Sequence, residues 1–380
     1  MGKRIIAFDI TRIFAFACIL IIHFNASICG YDRTGTFVYD NSYIPSIYHN
    51  AYLGDIGSIL FFMLSGAGLF YSSGYINFSK FLSFYRKRFK SIFLTYWISL
   101  LFIALLFHKQ IGSFSDIFAT ILNLFGLSGY ILAGGGGSII DTKLGKFYMN
   151  GEWFLGAILL LYICYPFFVK LYQFSKTLAF ILALLLNILI YCNVSNVNFF
   201  VYFLSLYIGI LITNCIKNGS YRYILYLLIL FILCLSLCEI INVRLVSIKS
   251  NTWSLLYASS LFCMIVLIFN NLHLSEKISS ILVFVSKISF PAFLIHHHFA
   301  SFFGIGYDII NINLNKYIIL LVCYLSAVYL CSYLLLNIVN HTKHAVLIIE
   351  SHYWKNSEKK YPTKGNVHDE ENSCNGSTQA

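Results

Sequence analysis

The chain has 380 residues, of which 59% are hydrophobic and only 11% charged, with a formal net charge of +11. A soluble globular chain carries about a quarter charged residues, and a chain of this length cannot hide so much apolar surface inside compact domains. Lipid is therefore expected to be the solvent for most of it, which excludes a cytosolic enzyme, a nucleic-acid module and a disordered scaffold.

In chain order, the first apolar run covers 5–27 and follows Lys3-Arg4. It starts like a signal peptide, but Asp9 and Arg12 interrupt it, it runs past Phe24, and no A-x-A site follows, so it reads as a retained span. Further stretches long enough to cross a bilayer are 54–72, 91–107, 153–170, the short 178–193, 199–216, 221–238, 254–270, 288–306 and 316–339, ten in all. The apolar stretch 118–133 ends in Gly134-Gly135-Gly136-Gly137 and is expected to be re-entrant or interfacial. The glycine run lacks the GK[ST] of a phosphate-binding loop and reads as a flexible connection. Segment 278–288 places Ile278, Ile281, Leu282, Val285 and Ile288 at helical spacing between Lys277 and Lys287, predicting a helix lying on the membrane surface. Residues 1–340 form the membrane domain, and 341–380 read as a polar, disordered cytoplasmic tail. Most of the eleven cysteines lie in apolar runs without CxxC or His/Cys metal spacing, so they read as small hydrophobes.

The Lys and Arg residues sit in short clusters between the apolar runs, which is membrane topology rather than nucleic-acid recognition. With the N-terminus inside, eighteen of the 26 cations fall on inner segments and seven on outer ones, with Arg12 within the membrane. The positive-inside rule then puts both termini in the cytoplasm. The fold expected is an all-α, polytopic integral membrane helix bundle of about ten transmembrane helices, in the inner (cytoplasmic) membrane.

An ionisable group within a span is costly and is a functional hypothesis by default. The first span holds Asp9, Arg12 and His23. Asp9 and Arg12, three apart, are neighbours on the helix surface. Arg12 and His23, eleven apart, return to within about 20° of one face, about 16 Å along the axis. Spacing alone divides evenly between a packed interfacial ion pair with a bonded histidine and a functional stripe. The run Phe84-Tyr85-Arg86-Lys87-Arg88-Phe89-Lys90 is either a topology signal at anionic headgroups or a cradle for phosphates. His296, His297 and His298 are adjacent, so they point about 100° apart and cannot chelate one metal together; one of them facing a cavity is the simpler expectation. Glu152, beside Trp153, sits at an outer boundary, either solvated or lining a cavity.

Taken together, these fragments resemble the acyltransferase 3 family of integral membrane acyltransferases. Asp9-Ile10-Thr11-Arg12 through His23 is similar to its Asp-x-x-Arg opening and Arg-x10-His motif. Phe61-Phe62-Met63-Leu64-Ser65-Gly66 resembles its FF-x-LSG block, and the 84–89 run with Tyr96-Trp97 resembles its basic loop and following Tyr-Trp. Trp153-Phe154-Leu155 with Tyr162 and Pro166, and Ile288-Ser289-Phe290 through Phe293-Leu294-Ile295-His296, resemble its WFL…Y…P and late S-F…L-x-H blocks. Phe293 stands where many relatives carry Tyr. The resemblance covers 9–296, with five blocks in the right order.

That resemblance implies transfer of an acyl group, usually acetyl, from cytoplasmic acyl-CoA (acetyl-CoA foremost) to a hydroxyl of a surface polysaccharide, other glycan or lipid-linked sugar. His23 becomes the expected general base or transient acyl carrier, Arg12 a holder of the donor with Asp9 fixing it, and Arg86 and Arg88 the grip on the CoA phosphates, one of the two dominating. His296, with Glu152 and Trp153, is expected at the substrate cavity. The expected partners are acyl-CoA, the glycan acceptor and membrane lipid, with no metal and no nucleic acid. Some relatives carry a fused extracytoplasmic hydrolase-like domain, so a glycan-assembly partner acting in trans is a further expectation. The alternatives are a transporter or flippase for lipid-linked sugars, and a glycan polymerase. The absence of arginine from the connection 108–152 counts against the polymerase.

Overall fold

The computed structural model describes residues 4–29, 43–74, 80–107, 117–127, 152–191, 201–244, 250–272, 274–304 and 312–360. Among these, eleven helices follow one another: α1 (Ile6–Cys29), α2 (Leu53–Ser73), α3 (Phe81–Phe107), α4 (Ile117–Leu124), α5 (Glu152–Phe174), α6 (Lys176–Tyr191), α7 (Val201–Lys217), α8 (Tyr221–Arg244), α9 (Ser250–Asn271), α10 (Glu276–Gly304) and α11 (Leu314–Lys360). Helices dominate because a backbone in lipid must satisfy its own hydrogen bonds. Eight of the eleven are long and apolar enough to cross a membrane, and α6 and α7 are shorter apolar helices. These two correspond to the expected spans 178–193 and 199–216.

Among the described residues, the exception to helix is a two-stranded ribbon just before α2, β1 (Ile47–Tyr48) and β2 (Ala51–Tyr52), paired antiparallel. His49 and Asn50 turn it with φ of 42° and 62°, the left-handed pair that a tight hairpin requires.

Three expectations change. The segment 278–288 is the first half of α10, not a separate surface helix: Ser286, Ile288 and Ser289 are buried, because Ser286 is drawn onto α1 by a buried carboxylate. Pro291 removes one backbone donor within α10 without ending it. The third span begins at Phe81 rather than 91, so the basic run lies on helical positions. The polar tail expected from 341 is helical as far as Lys360, and 361–380 lie outside the described residues. Of the stretch 118–133, the described part is α4 and the three residues after it; the glycine run lies outside them.

The chain divides into two units, Met1–Leu336 and Asn337–Ala380. Within the first, α2 packs most extensively on α7, and α1 on α10 and α2. The α2–α7 crossing is backbone against backbone. A Cβ on Gly66 would collide with the Leu206 carbonyl, and one on Gly209 with the carbonyl of Met63. Small residues at such crossings let helices approach where lipid offers no hydrophobic drive. Gly66 is the glycine of the Phe61–Gly66 block, so that motif serves packing at its end.

Candidate active site

The site grows from the contact between α1 and α10. At one end, Ser286 Oγ donates to Asp9 Oδ1 at 2.6 Å and accepts from Arg12 Nη1 at 2.7 Å. Further along, the His23 ring lies 4.9 Å from that of His296 and 3.8 Å from that of His297. At the far end, Gly304 stands so close to α1 that a Cβ there would meet the Ser27 carbonyl at 2.5 Å. The sequence offset between partners stays nearly constant, so the two helices run parallel and in register.

Asp9 is buried, yet its first partner is not the expected one. Arg4 reaches both its oxygens, Nε to Oδ2 at 2.7 Å and Nη2 to Oδ1 at 2.6 Å, whereas Arg12 Nη1 stands 3.3 Å from Oδ1. Donating to the Asp9 carboxylate raises the pKa of Arg4, so this guanidinium holds its charge. One carboxylate shared by two guanidiniums leaves a surplus positive charge at this end of the site. Arg4 had counted only towards topology, and Ser286 carried no local signal because its partner lies 277 positions away.

The histidine end is built from motif blocks remote in sequence. His296 is fully buried, and its Nδ1 meets the Phe293 carbonyl at 2.5 Å. A carbonyl can only accept, so Nδ1 carries the proton and Nε2 is left as the acceptor; that atom is buried and has no partner among the described residues. Phe293 packs on Phe154 at 4.7 Å between ring centroids, and Phe154 packs on Phe61 and Phe62 at 5.7 and 4.9 Å. The FF-x-LSG, WFL and late blocks thus converge behind His296. Trp153, half-buried, stands one ring further out, against Phe154 and Tyr202. Glu152 opens α5, and its side chain lies outside the described residues. Two residues beyond His23, Asn25 ties the C-terminal end of α1 down, donating to the Ile44 carbonyl and Ser46 and accepting from Tyr317 at 2.6 Å.

The sequence marks His296 among the three adjacent histidines and not His297; only packing shows that His297 faces His23. The ring nitrogens of His23, His296 and His297 offer one ligand atom each within 4.8 Å of one another. Three imidazoles with an open position are a zinc-type ligand set. Two imidazoles on one ion, however, stand roughly 5 Å apart between ring centres, given about 2.0–2.1 Å from metal to nitrogen. The 3.8 Å separation of His23 and His297 suits a packed polar cluster better.

The two remaining predicted residues lie elsewhere. Arg86 is exposed on α3, and Arg88 is half-buried, turned towards α2, where Nη2 donates to Ser72 Oγ at 3.0 Å. Neither contacts the histidine cluster directly.

Compared with known proteins, the chain matches the acyltransferase 3 family, described as an acyltransferase domain, over residues 5–337. No curated protein and no solved structure matches it.

Proposed function

The chain belongs to the acyltransferase 3 family, and on that premise we propose that it moves an acyl group, acetyl foremost, from cytoplasmic acyl-CoA to a hydroxyl of a surface polysaccharide or lipid-linked sugar. The family and the eight membrane-length helices make it a multi-pass membrane acyltransferase; the donor, the acceptor and the inner membrane as its location belong to the proposal.

The observation that carries it is the His23 ring lying 4.9 Å from that of His296, whose Nε2 is buried and without a partner among the described residues. An alcohol attacking a thioester must lose its proton as its oxygen bonds to the carbonyl carbon. Imidazole is the side chain suited to take that proton near neutrality. In this reading His23 accepts the hydroxyl proton, the C–S bond breaks, and the CoA thiolate leaves and takes up that proton from His23. His296, its tautomer held by the Phe293 carbonyl, accepts a hydrogen bond from the acceptor or from His23. Arg12 takes an anionic part of the donor, with Asp9, Arg4 and Ser286 setting its direction. About 16 Å of helix separates Arg12 from His23, a gap for an extended donor arm to bridge. CoA phosphates cannot cross hydrocarbon, so they are met at the inner face, where the exposed Arg86 is the better placed of the two arginines.

The test is transfer of isotope-labelled acetyl from acetyl-CoA by the purified protein, with mass spectrometry of surface glycans from cells with and without the gene. We expect loss of an acyl mass increment without the gene. Unchanged glycan masses together with no release of CoA would overturn the reading and favour a transporter of lipid-linked sugars.

A further inference from the structure

Outside the α1–α10 site, one groove combines a lone cation with an otherwise apolar wall. It lies between α3, the residues following α4, and α5, encloses about 340 Å³, and is lined by Tyr85, Arg88, Phe93, Phe125, Leu159 and Tyr162 among others. That volume lies within the range of small-molecule sites. Phe89, Phe125 and Ile163 on its rim are about half exposed, so it opens sideways, towards the surface that lipid covers.

Its polar side chains are Tyr85, Arg88 and Tyr162. Tyr85 donates to the Ile163 carbonyl at 2.8 Å. Arg88 is fixed by Ser72 on one side and by the Phe84 ring, 5.7 Å from its guanidinium carbon, on the other. What remains is Arg88 Nε, which is buried and has no hydrogen-bond partner among the described residues. A buried charged donor held in place without an acceptor calls for an anion. Apart from the Tyr162 hydroxyl, the rest of the groove is apolar wall suited to hydrocarbon.

We propose that this groove seats the acyl chain of an anionic phospholipid, with the headgroup phosphate on Arg88. The order of residues fits a lipid of one leaflet. Arg88 lies near the start of α3, and Ile92 and Phe93 follow about 6–8 Å deeper along the helix, at the depth of the tail. The pantetheine arm of CoA fits poorly, because its two amides would find at most the Tyr162 hydroxyl along an otherwise apolar wall. Lys87, exposed and outside the lining, adds positive charge near the headgroup plane without entering the groove. The inference stands apart from the acyl-transfer reading, and its test reads lipid binding alone.

The experiment titrates the delipidated, detergent-purified protein with phosphatidylglycerol or phosphatidylcholine and counts lipid adducts by native mass spectrometry. We expect one phosphatidylglycerol adduct, at least tenfold more occupied than phosphatidylcholine at equal concentration. Arg88→Gln should bring it down to the phosphatidylcholine level, whereas Lys87→Gln should stay within twofold of the wild type. Leu159→Trp, which fills the groove and keeps Arg88, should suppress both lipids. Equal binding of the two lipids by the wild type, or undiminished phosphatidylglycerol in Arg88→Gln, overturns the proposal. So does displacement of the lipid by equimolar CoA, which would make this the donor's site. If Arg88→Gln is not monodisperse, Arg88→Lys is read instead: it keeps the charge but has no Nε, and binding within twofold of wild type would overturn the proposal as well.

Discussion

Ser286 and Asp9 lie 277 residues apart and meet at 2.6 Å, hydroxyl to carboxylate, while the same hydroxyl accepts from Arg12 at 2.7 Å. One small side chain thus sets the angle at which α10 meets α1 and the direction in which Arg12 points. A hydrogen bond to a charged group contributes about 1.5–3 kcal/mol, and leaving a buried carboxylate short of a donor costs a similar amount.

Ser286→Ala should therefore raise the acyl-CoA requirement by about tenfold or more, through loss of about 1.4 kcal/mol or more of Arg12 positioning. Ser286→Thr keeps the hydroxyl and should recover most of it. The measurement is KM for acyl-CoA against KM for the acceptor. An equal rise in both would make Ser286 a packing residue only.

His23→Ala should lower kcat by about 10²–10⁴-fold, the usual contribution of a general base, while the protein still inserts. Loss of one polar group from a buried cluster leaves the apolar faces of α1 intact, so membrane yield and melting temperature report folding separately. Normal glycan acylation in this variant would sink the catalytic assignment.

Arg12→Lys keeps the charge but loses the guanidinium fork, whose Nη1 addresses both Ser286 and Asp9. Acyl transfer should fall by at least about tenfold, which is about 1.4 kcal/mol. Retained activity would mean that Arg12 acts as a point charge, or only pairs with Asp9.

Gly209→Ala should destabilise the bundle, since the added methyl meets the Met63 carbonyl of α2 and the two backbones must move apart. We expect about 1–3 kcal/mol, the usual range for overpacking, read as a lower melting temperature in detergent. Gly68→Ala, with open space at its Cβ, should be close to neutral. A neutral Gly209→Ala would show that the crossing is looser than drawn.

Topology has its own check. The charge balance puts 73–90 inside and 28–53 and 108–152 outside. Cysteines introduced next to Asp40 and Asp141 should react with an impermeant reagent on intact cells, and one next to Lys80 should not. Reaction at Lys80 would invert the orientation and move the donor to the other face.

How much of this was readable from residues alone follows from the range over which each signal acts. Long apolar runs determine helices in lipid whatever their neighbours, because backbone polar groups there can only pair within the segment. Hence the membrane bundle, most span positions and the shortness of α6 were legible. So was the stripe of Asp9, Arg12 and His23, since eleven residues of one helix carry their own angular relation. Helix continuity was less legible. Lys277 and Lys287 mark an interface by charge, but the burial of Ser286 that joins 278–288 to α10 depends on a carboxylate in another helix.

The partners across helices were decided by tertiary structure alone. The sequence offers Arg4 as one more cation and His297 as one of three neighbours, and nothing local separates Ser286 from the chain's other serines. Arg4 pairs with Asp9 from five residues away in the same segment, whereas only the in-register packing of α1 on α10 brings Ser286 to Asp9 and His297 to 3.8 Å from His23. The physical reason is that hydrogen bonds and ring contacts act over a few ångströms, whereas sequence spacing determines direction only within a single helix. Which helices meet, and in what register, is set by close approaches such as Gly66 on Leu206 and Gly304 on Ser27, whose effect depends on a partner that the local sequence does not name.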